Sequence, residues 1–318
     1  EPGEPLRHAY RPASLTPRSD RWAARARRIV DDLGEREGYA LLLGAGSGDL
    51  LRELLLCSDL HVVVVEANPR KARALRDELV AAGLYGRRAA VIQAEPATFA
   101  VQPYIFSVVA SENAAAVGID PDPATLAHLL DRIRPYGGVA FLGTRPRRLA
   151  PLCEAAAAAR VDQVQVTQGE RALLARRGGP LTGAGQWTHQ YADGSNTNFS
   201  PDARAKAPLG ILWFGGPGNE HILPRHGHGP VPQVVGGRII LPGNDAISAR
   251  CVYTGRELWV RAFPGLGHPF TDLELEKRYE RGESVFMHST NGIGANQIGS
   301  PFVTLPDAVY AVSYTHLT

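Results

Sequence analysis

Tyr39-Ala40-Leu41-Leu42-Leu43-Gly44-Ala45-Gly46-Ser47-Gly48-Asp49 decides the fold. The apolar run Tyr39–Leu43 reads as a buried strand, and a glycine turn carries it straight into a helix. A second apolar strand, Val62–Val65, ends on the carboxylate of Glu66. Together these form the front half of a nucleotide-binding βαβ unit. Glycines let the main chain pass close to a ligand with no Cβ between them. Glu66 stands 22 residues after Gly44, close to the ~20 of the dinucleotide fingerprint, where its side chain can accept hydrogen bonds from two ribose hydroxyls. A glycine turn also joins strand to helix without any ligand, so the flanking strand and Glu66 are what turn the motif toward binding.

Working outward, the residues up to about Arg177 alternate strands and helices. Ser19 or Asp20 caps a helix with the apolar face Trp22, Ala26, Ile29, Val30 and Leu33, stopped by Gly34. After the second strand, Pro69 opens a helix that runs through Ala82 to Gly83. Strands are expected over Ala89–Gln93, Ile105–Ala110 and Val139–Leu142, and helices over Pro123–Ile133 and Leu149–Ala159. Val161–Val166 and Ala172–Ala175 read as a closing hairpin around Gly169.

The glycine spacing is G-x-G-x-G. Asp49 stands where a dinucleotide site carries its third glycine, which argues against NAD and a dehydrogenase. This spacing, with the element order, resembles the class I S-adenosyl-L-methionine (SAM) dependent methyltransferases over about Arg21–Arg177. The resemblance implies a Rossmann-like α/β domain over residues 20–178 and SAM as cofactor. Motif I would then be Gly44, Ala45, Gly46, Ser47 and Gly48. Glu66, beside Ala67, would be the ribose-binding acid, and Ala94-Glu95 the adenine position. Ser111 and Glu112 would end strand four, with Glu112 the candidate catalytic group, and Arg134–Gly138 the turn before strand five. The chain departs from that pattern at Leu42, where the family usually carries an acid, and in lacking an Asn-Pro-Pro-Tyr signature or a clear general base. A scaffold that binds SAM or a nucleotide without turnover is therefore the alternative function.

After about Gly178 helical periodicity stops, and short strands sit between turn clusters, at Gly210–Phe214, Gln233–Val235, Arg238–Leu241, Ala249–Val252 and Leu258–Ala262. Thr254-Gly255-Arg256-Glu257-Leu258-Trp259 resembles the T-G-x-x-x-W element of pyrroloquinoline-quinone-like (PQQ-like) β-propeller blades. Pro232–Ile240 resembles the two inner strands of the same blade, and Pro306–Tyr310 the start of the next. Trp187–Tyr191, Asn196-Thr197 and Leu212–Gly215 resemble the opening of a propeller in large, mostly planctomycete-like proteins that carry a methyltransferase-like domain upstream. The resemblance implies an incomplete propeller over residues 183–312, because one or two blades fit where four to eight normally close a ring. The tryptophans Trp187, Trp213 and Trp259 then read as packing between blades. Quinoproteins of this kind use an adjacent Cys-Cys pair, and Cys251 is the single cysteine of this half, so no PQQ is expected. The segment reads as a scaffold for a protein partner or substrate.

The chain has 318 residues and a formal charge of +2, with room for about two domains. This balance argues against a nucleic-acid binder. Arg25-Ala26-Arg27-Arg28 and Arg145–Arg148 read as solvated helix faces. No apolar run is long enough to span a membrane. Cys57, Cys153 and Cys251 form neither a metal pattern nor a disulfide framework. His128 reads as a helix histidine, and His221, His226 and His228 as loop histidines rather than ligands; no metal is expected. Asp245, Asp272 and Asp307 read as turn and blade-start acids. Glu1–Pro17 is Pro-rich, so residues 1–19 read as a linker. The chain starts without Met, and Ser313–Thr318 resembles a translated sequencing-adapter read, so a fragment of a longer protein is expected. SAM use favours the cytoplasm, but with the true N-terminus missing the compartment stays open, as does the methyl acceptor.

Overall fold

The computed structural model describes residues 12–214, 221–222, 231–243, 245–264, 266 and 302–312. Residues 1–11 of the linker, His226, His228, Asp272 and residues 313–318 lie outside these. The chain divides into two units, Glu1–Gly178 and Gly179–Thr318.

The first unit alternates helices and strands in the order α1 (Asp20–Leu33), β1 (Tyr39–Leu43), α2 (Asp49–Cys57), β2 (His61–Glu66), α3 (Pro69–Ala81), β3 (Ala89–Gln93), β4 (Val108–Ser111), α4 (Pro123–Leu130), β5 (Val139–Gly143), α5 (Pro146–Ala158), β6 (Val164–Gln168) and β7 (Ala172–Arg177). A short 3-10 helix, Ala114–Val117, follows β4. The helix starts follow capping chemistry. The Ser19 hydroxyl accepts from Trp22 N, and Asn68 Oδ1 accepts from Arg70 N and Lys71 N ahead of Pro69. Gly34, left-handed at φ 77°, ends α1 by donating to Val30 O.

The strands form one seven-stranded sheet in the order β3-β2-β1-β4-β5-β7-β6. β1 to β5 run parallel, and β7 pairs antiparallel with both β5 and β6. Helices cover both faces, so the central strands are apolar throughout rather than alternating with polar residues. Side chains still alternate between two cores. Ala40 and Leu42 pack with α1, α2 and α3, whereas Leu41 and Leu43 pack with α4 and α5. This is the Rossmann-like architecture expected for this half.

The boundaries differ in detail. β4 begins at Val108 rather than Ile105, and α4 stops at Leu130. α5 starts three residues earlier than expected, because Pro146 fits the first helical position, where no N–H is needed. The closing hairpin exists, but its second strand inserts between β5 and β6, which local pattern does not reveal.

In the second unit, β8 (Gln233–Val235), β9 (Arg238–Gly243), β10 (Ala246–Cys251) and β11 (Glu257–Ala262) form an antiparallel sheet in sequence order. β12 (Phe302–Thr304) and β13 (Val309–Ala311) form a hairpin, and Gln233 Nε2 donates to Phe302 O at 2.7 Å. Thr254-Gly255 lies between the third and fourth strands. The strand expected over Gly210–Phe214 is not formed. Among the described residues no strand pairs with these, and Trp213 is instead held by its indole N–H, which donates to Val252 O at 2.9 Å. Its ring lies over Gly255, where any Cβ would collide with it.

Candidate ligand site at the glycine turn

In an open parallel sheet, a crevice forms outside the carboxyl ends of the strands where the chain order reverses. Here β1 has β2 on one side and β4 on the other, so the crevice is bounded by the turn after β1 and by the ends of β2 and β4. Gly44, Gly46 and Gly48 all take left-handed φ values, 82°, 56° and 81°, which side-chain-bearing residues adopt at a cost. The turn thus depends on these glycines for its shape.

Two carboxylates hold the turn from opposite sides. Glu66, the last residue of β2, is buried. Its Oε2 accepts from Ala45 N at 2.7 Å and its Oε1 accepts from Asn68 N at 2.7 Å. Glu112, just beyond β4, accepts from Ser47 N at 2.7 Å through Oε2 and from Leu50 N at 3.0 Å through Oε1, and the Ser47 hydroxyl donates to it at 2.8 Å. The cap residue of α2 is Gly48, which has no side chain to accept the first-turn amide of Leu50. Glu112 supplies the acceptor from 62 residues away, and its anionic charge suits the positive end of the helix.

The structure therefore gathers Gly44–Gly48, Glu66 and Glu112 at one place. Ala67 and Ala94 lie alongside, half-buried, with Ala94 N donating to Glu66 O at 3.2 Å. Glu95 is exposed past β3. Ser111 is buried and its hydroxyl donates to Leu43 O at 2.8 Å, so it braces β4 against β1. Leu42 is fully buried among apolar side chains, where an ionised acid would be costly. Sequence reasoning missed Val117: it fills the space a Cβ would take at Gly44, just as the Glu112 carboxylate fills the space beside Gly46. The uncapped Gly48 was the available signal that an acceptor had to come from elsewhere.

Other titratable groups are structural. Burial pushes the thiols of Cys57 and Cys153 up, away from the reactive thiolate. Main-chain and hydroxyl donation from Thr125 holds Asp122 low, as suits the cap of α4. His128 stands against the Arg132 guanidinium. His221 Nδ1 lies 3.2 Å from Glu257 Oε2. Among the described residues no group of three or more His, Cys, Asp or Glu is placed to share a metal, and no helix is long and apolar enough to cross a membrane.

No family model matches the chain, and no curated protein matches it. Solved structures match about half of it. One is a proposed SAM-dependent methyltransferase from Methanococcus maripaludis, at 10% identity and TM-score 0.43, over 50% of this chain and 86% of that one. Another is an amino pentose methyltransferase from Micromonospora echinaspora with SAM bound, at 15% identity and TM-score 0.38, over 50% and 90%. A third, from Thiobacillus denitrificans, holds S-adenosyl-L-homocysteine, at 19% identity and TM-score 0.33, over 41% and 50%. The likeness is one of fold.

Proposed function

We propose that residues 20–178 form a SAM-binding methyltransferase domain. One observation carries this reading: the Glu66 carboxylate ends β2 beside the glycine turn, at the point where the strand order reverses. The residues fit the cofactor. A carboxylate offers about four acceptor positions, and Glu66 uses one oxygen for Ala45 and the other for Asn68, leaving capacity for two ribose hydroxyls. Gly44–Gly48 offers main chain without side chains. Bound SAM supplies an electrophilic methyl group. The work of the chain is to bind and orient: Glu66 and the turn hold the nucleoside, Ala94 and Glu95 border the base, and the ends of β1 and β4 set where an acceptor approaches. Alignment of donor and acceptor is the main source of rate in such a transfer.

Residues 183–312 read as part of a PQQ-like β-propeller that serves as a scaffold for a substrate or protein partner. The four-stranded antiparallel sheet in sequence order supports this, with Thr254-Gly255 before its fourth strand and Trp259 within it. A single cysteine in this half argues against a quinone site with adjacent cysteines. Dye-linked oxidation of alcohols or sugars that requires added PQQ and calcium would overturn the scaffold reading.

A second reading, a SAM- or nucleotide-binding scaffold without turnover, is favoured by the engagement of Glu112 with the turn and by Leu42 in the core. Calorimetry on the full chain tests the first proposal. S-adenosyl-L-homocysteine should bind in preference to NAD, and equal or tighter NAD binding overturns it. Methyl transfer to any acceptor in a substrate screen separates the enzyme from the scaffold.

A further inference from the structure

The glycine turn is covered by the chain itself. Glu112 lies on Gly46 and Ser47, and Val117 lies on Gly44, so two of the three turn glycines are covered from the segment after β4. The contacts differ in kind, one a carboxylate on amides and one a methyl group against main chain, yet both come from six residues of chain. Ala114 and Ile119 anchor that segment in the core, while Glu112, Ala115 and Val117 are partly exposed and Ala116 is exposed. Gly118, left-handed at φ 76°, ends the 3-10 turn.

We infer that Glu112 and Val117 form a built-in stopper on the glycine turn, which a ligand must displace to reach the main chain there. The inference rests on the ligand-site reading above and adds a control to that site. The displaced group is a carboxylate held by amide and hydroxyl donors. A ligand carrying its own carboxylate satisfies the same donors once Glu112 leaves, whereas a neutral ligand leaves them short. The stopper therefore lowers affinity for every ligand and makes the carboxylate of an adenosyl amino acid the group that best replaces it.

The test is calorimetry on the full chain and on Glu112→Gln and Val117→Ala, with S-adenosyl-L-homocysteine, 5′-methylthioadenosine (which lacks the carboxylate) and NAD as probes. Thermal melting of each variant checks that it is folded, and Val117→Ala tests the stopper without touching the cap of α2. Glu112→Gln should bind S-adenosyl-L-homocysteine roughly tenfold more tightly, the scale of one charge-assisted hydrogen bond removed from the closed state. Methylthioadenosine should gain by the same factor, because both ligands open the same stopper, while binding less tightly than S-adenosyl-L-homocysteine to each protein, and Val117→Ala should tighten both alike. Wild-type binding of S-adenosyl-L-homocysteine with no gain in either variant overturns the stopper and leaves the SAM reading standing. Variants that gain affinity for NAD alone uphold the stopper and overturn the SAM reading. Binding of none of the probes to any of the three proteins overturns both.

Discussion

Oε2 of Glu66 stands 2.7 Å from the main-chain nitrogen of Ala45, tying the end of β2 to the turn that leaves β1. The same carboxylate accepts from Asn68 N through its other oxygen, so one side chain sets the turn and the entry to α3 together.

Glu66→Ala removes both acceptors and leaves the buried Ala45 amide unpaired. We expect a loss of about 1–3 kcal/mol in stability, read as a lower melting temperature of the first unit, with weakened S-adenosyl-L-homocysteine binding. Glu66→Gln keeps one acceptor and should fall between the two. A Glu66→Ala protein that melts like the wild type would show that the bonds carry no net stability.

Gly46→Ala meets two obstacles, the positive φ of 56° and the Glu112 carboxylate lying where its Cβ would go. The backbone term alone is about 1–2 kcal/mol. Glu112→Ala alone should cost about 1 kcal/mol through the lost cap of α2. Because the two residues occupy one space, their effects should not add. In the Glu112→Ala background Gly46→Ala should cost only its backbone term, as urea melts of the four proteins would show. Strict additivity would mean that Glu112 does not sit over Gly46 in solution.

Two buried arginines should respond oppositely to replacement by methionine. Arg177 donates to Asp131 O, Ile133 O and Asp131 Oδ1 and stacks on Tyr104 at 4.7 Å; its Nε alone is buried with no partner among the described residues, so Arg177→Met should cost about 3 kcal/mol. Arg132 reaches Phe99 O and the His128 ring, but its Nε and Nη1 are buried with no partner among the described residues. Arg132→Met should be neutral or stabilising by up to about 2 kcal/mol. Burial lowers the Arg132 guanidinium to about 10, well below its ordinary value. Between those values the unfolded chain binds more protons, so the wild type recovers stability as pH rises. Any advantage of Arg132→Met in melting temperature should therefore hold at pH 7 to 9 and shrink above about pH 10. Strong destabilisation at pH 7 would mean that Nε and Nη1 find partners in solution.

The two units should differ when expressed apart. Residues 12–178 have two cores on the two faces of one sheet and should melt in one cooperative transition. Among the described residues of the second unit, the main cluster is Ile240, Ile247, Ala249, Leu266 and Phe302, and on the propeller reading proposed above its blade edges need neighbours to close on. Residues 179–312 as a monomer should melt broadly or not at all. A sharp monomeric transition would refute this.

Residue pattern alone determined the elements of the first unit, because strand, turn and cap are local chemistry. Tyr39–Leu43 and Ala89–Gln93 appear with the expected bounds, Ser19 caps α1, and Gly34 stops it. The turn at Gly44–Gly48 and the strand end at Glu66 were legible for the same reason, since apolar run, glycine and strand boundary are local pattern. Tertiary structure decided what depends on partners distant in sequence. The insertion of β7 between β5 and β6 is a matter of which edge was free, and the failure of 210–214 to form a strand is a matter of no strand among the described residues pairing with it. Above all, the part played by Glu112 could not be read from its neighbours. Its carboxylate matters because parallel pairing of β4 beside β1 brings residue 112 over the amides of Ser47 and Leu50, the second of which a glycine cap leaves without a side-chain acceptor.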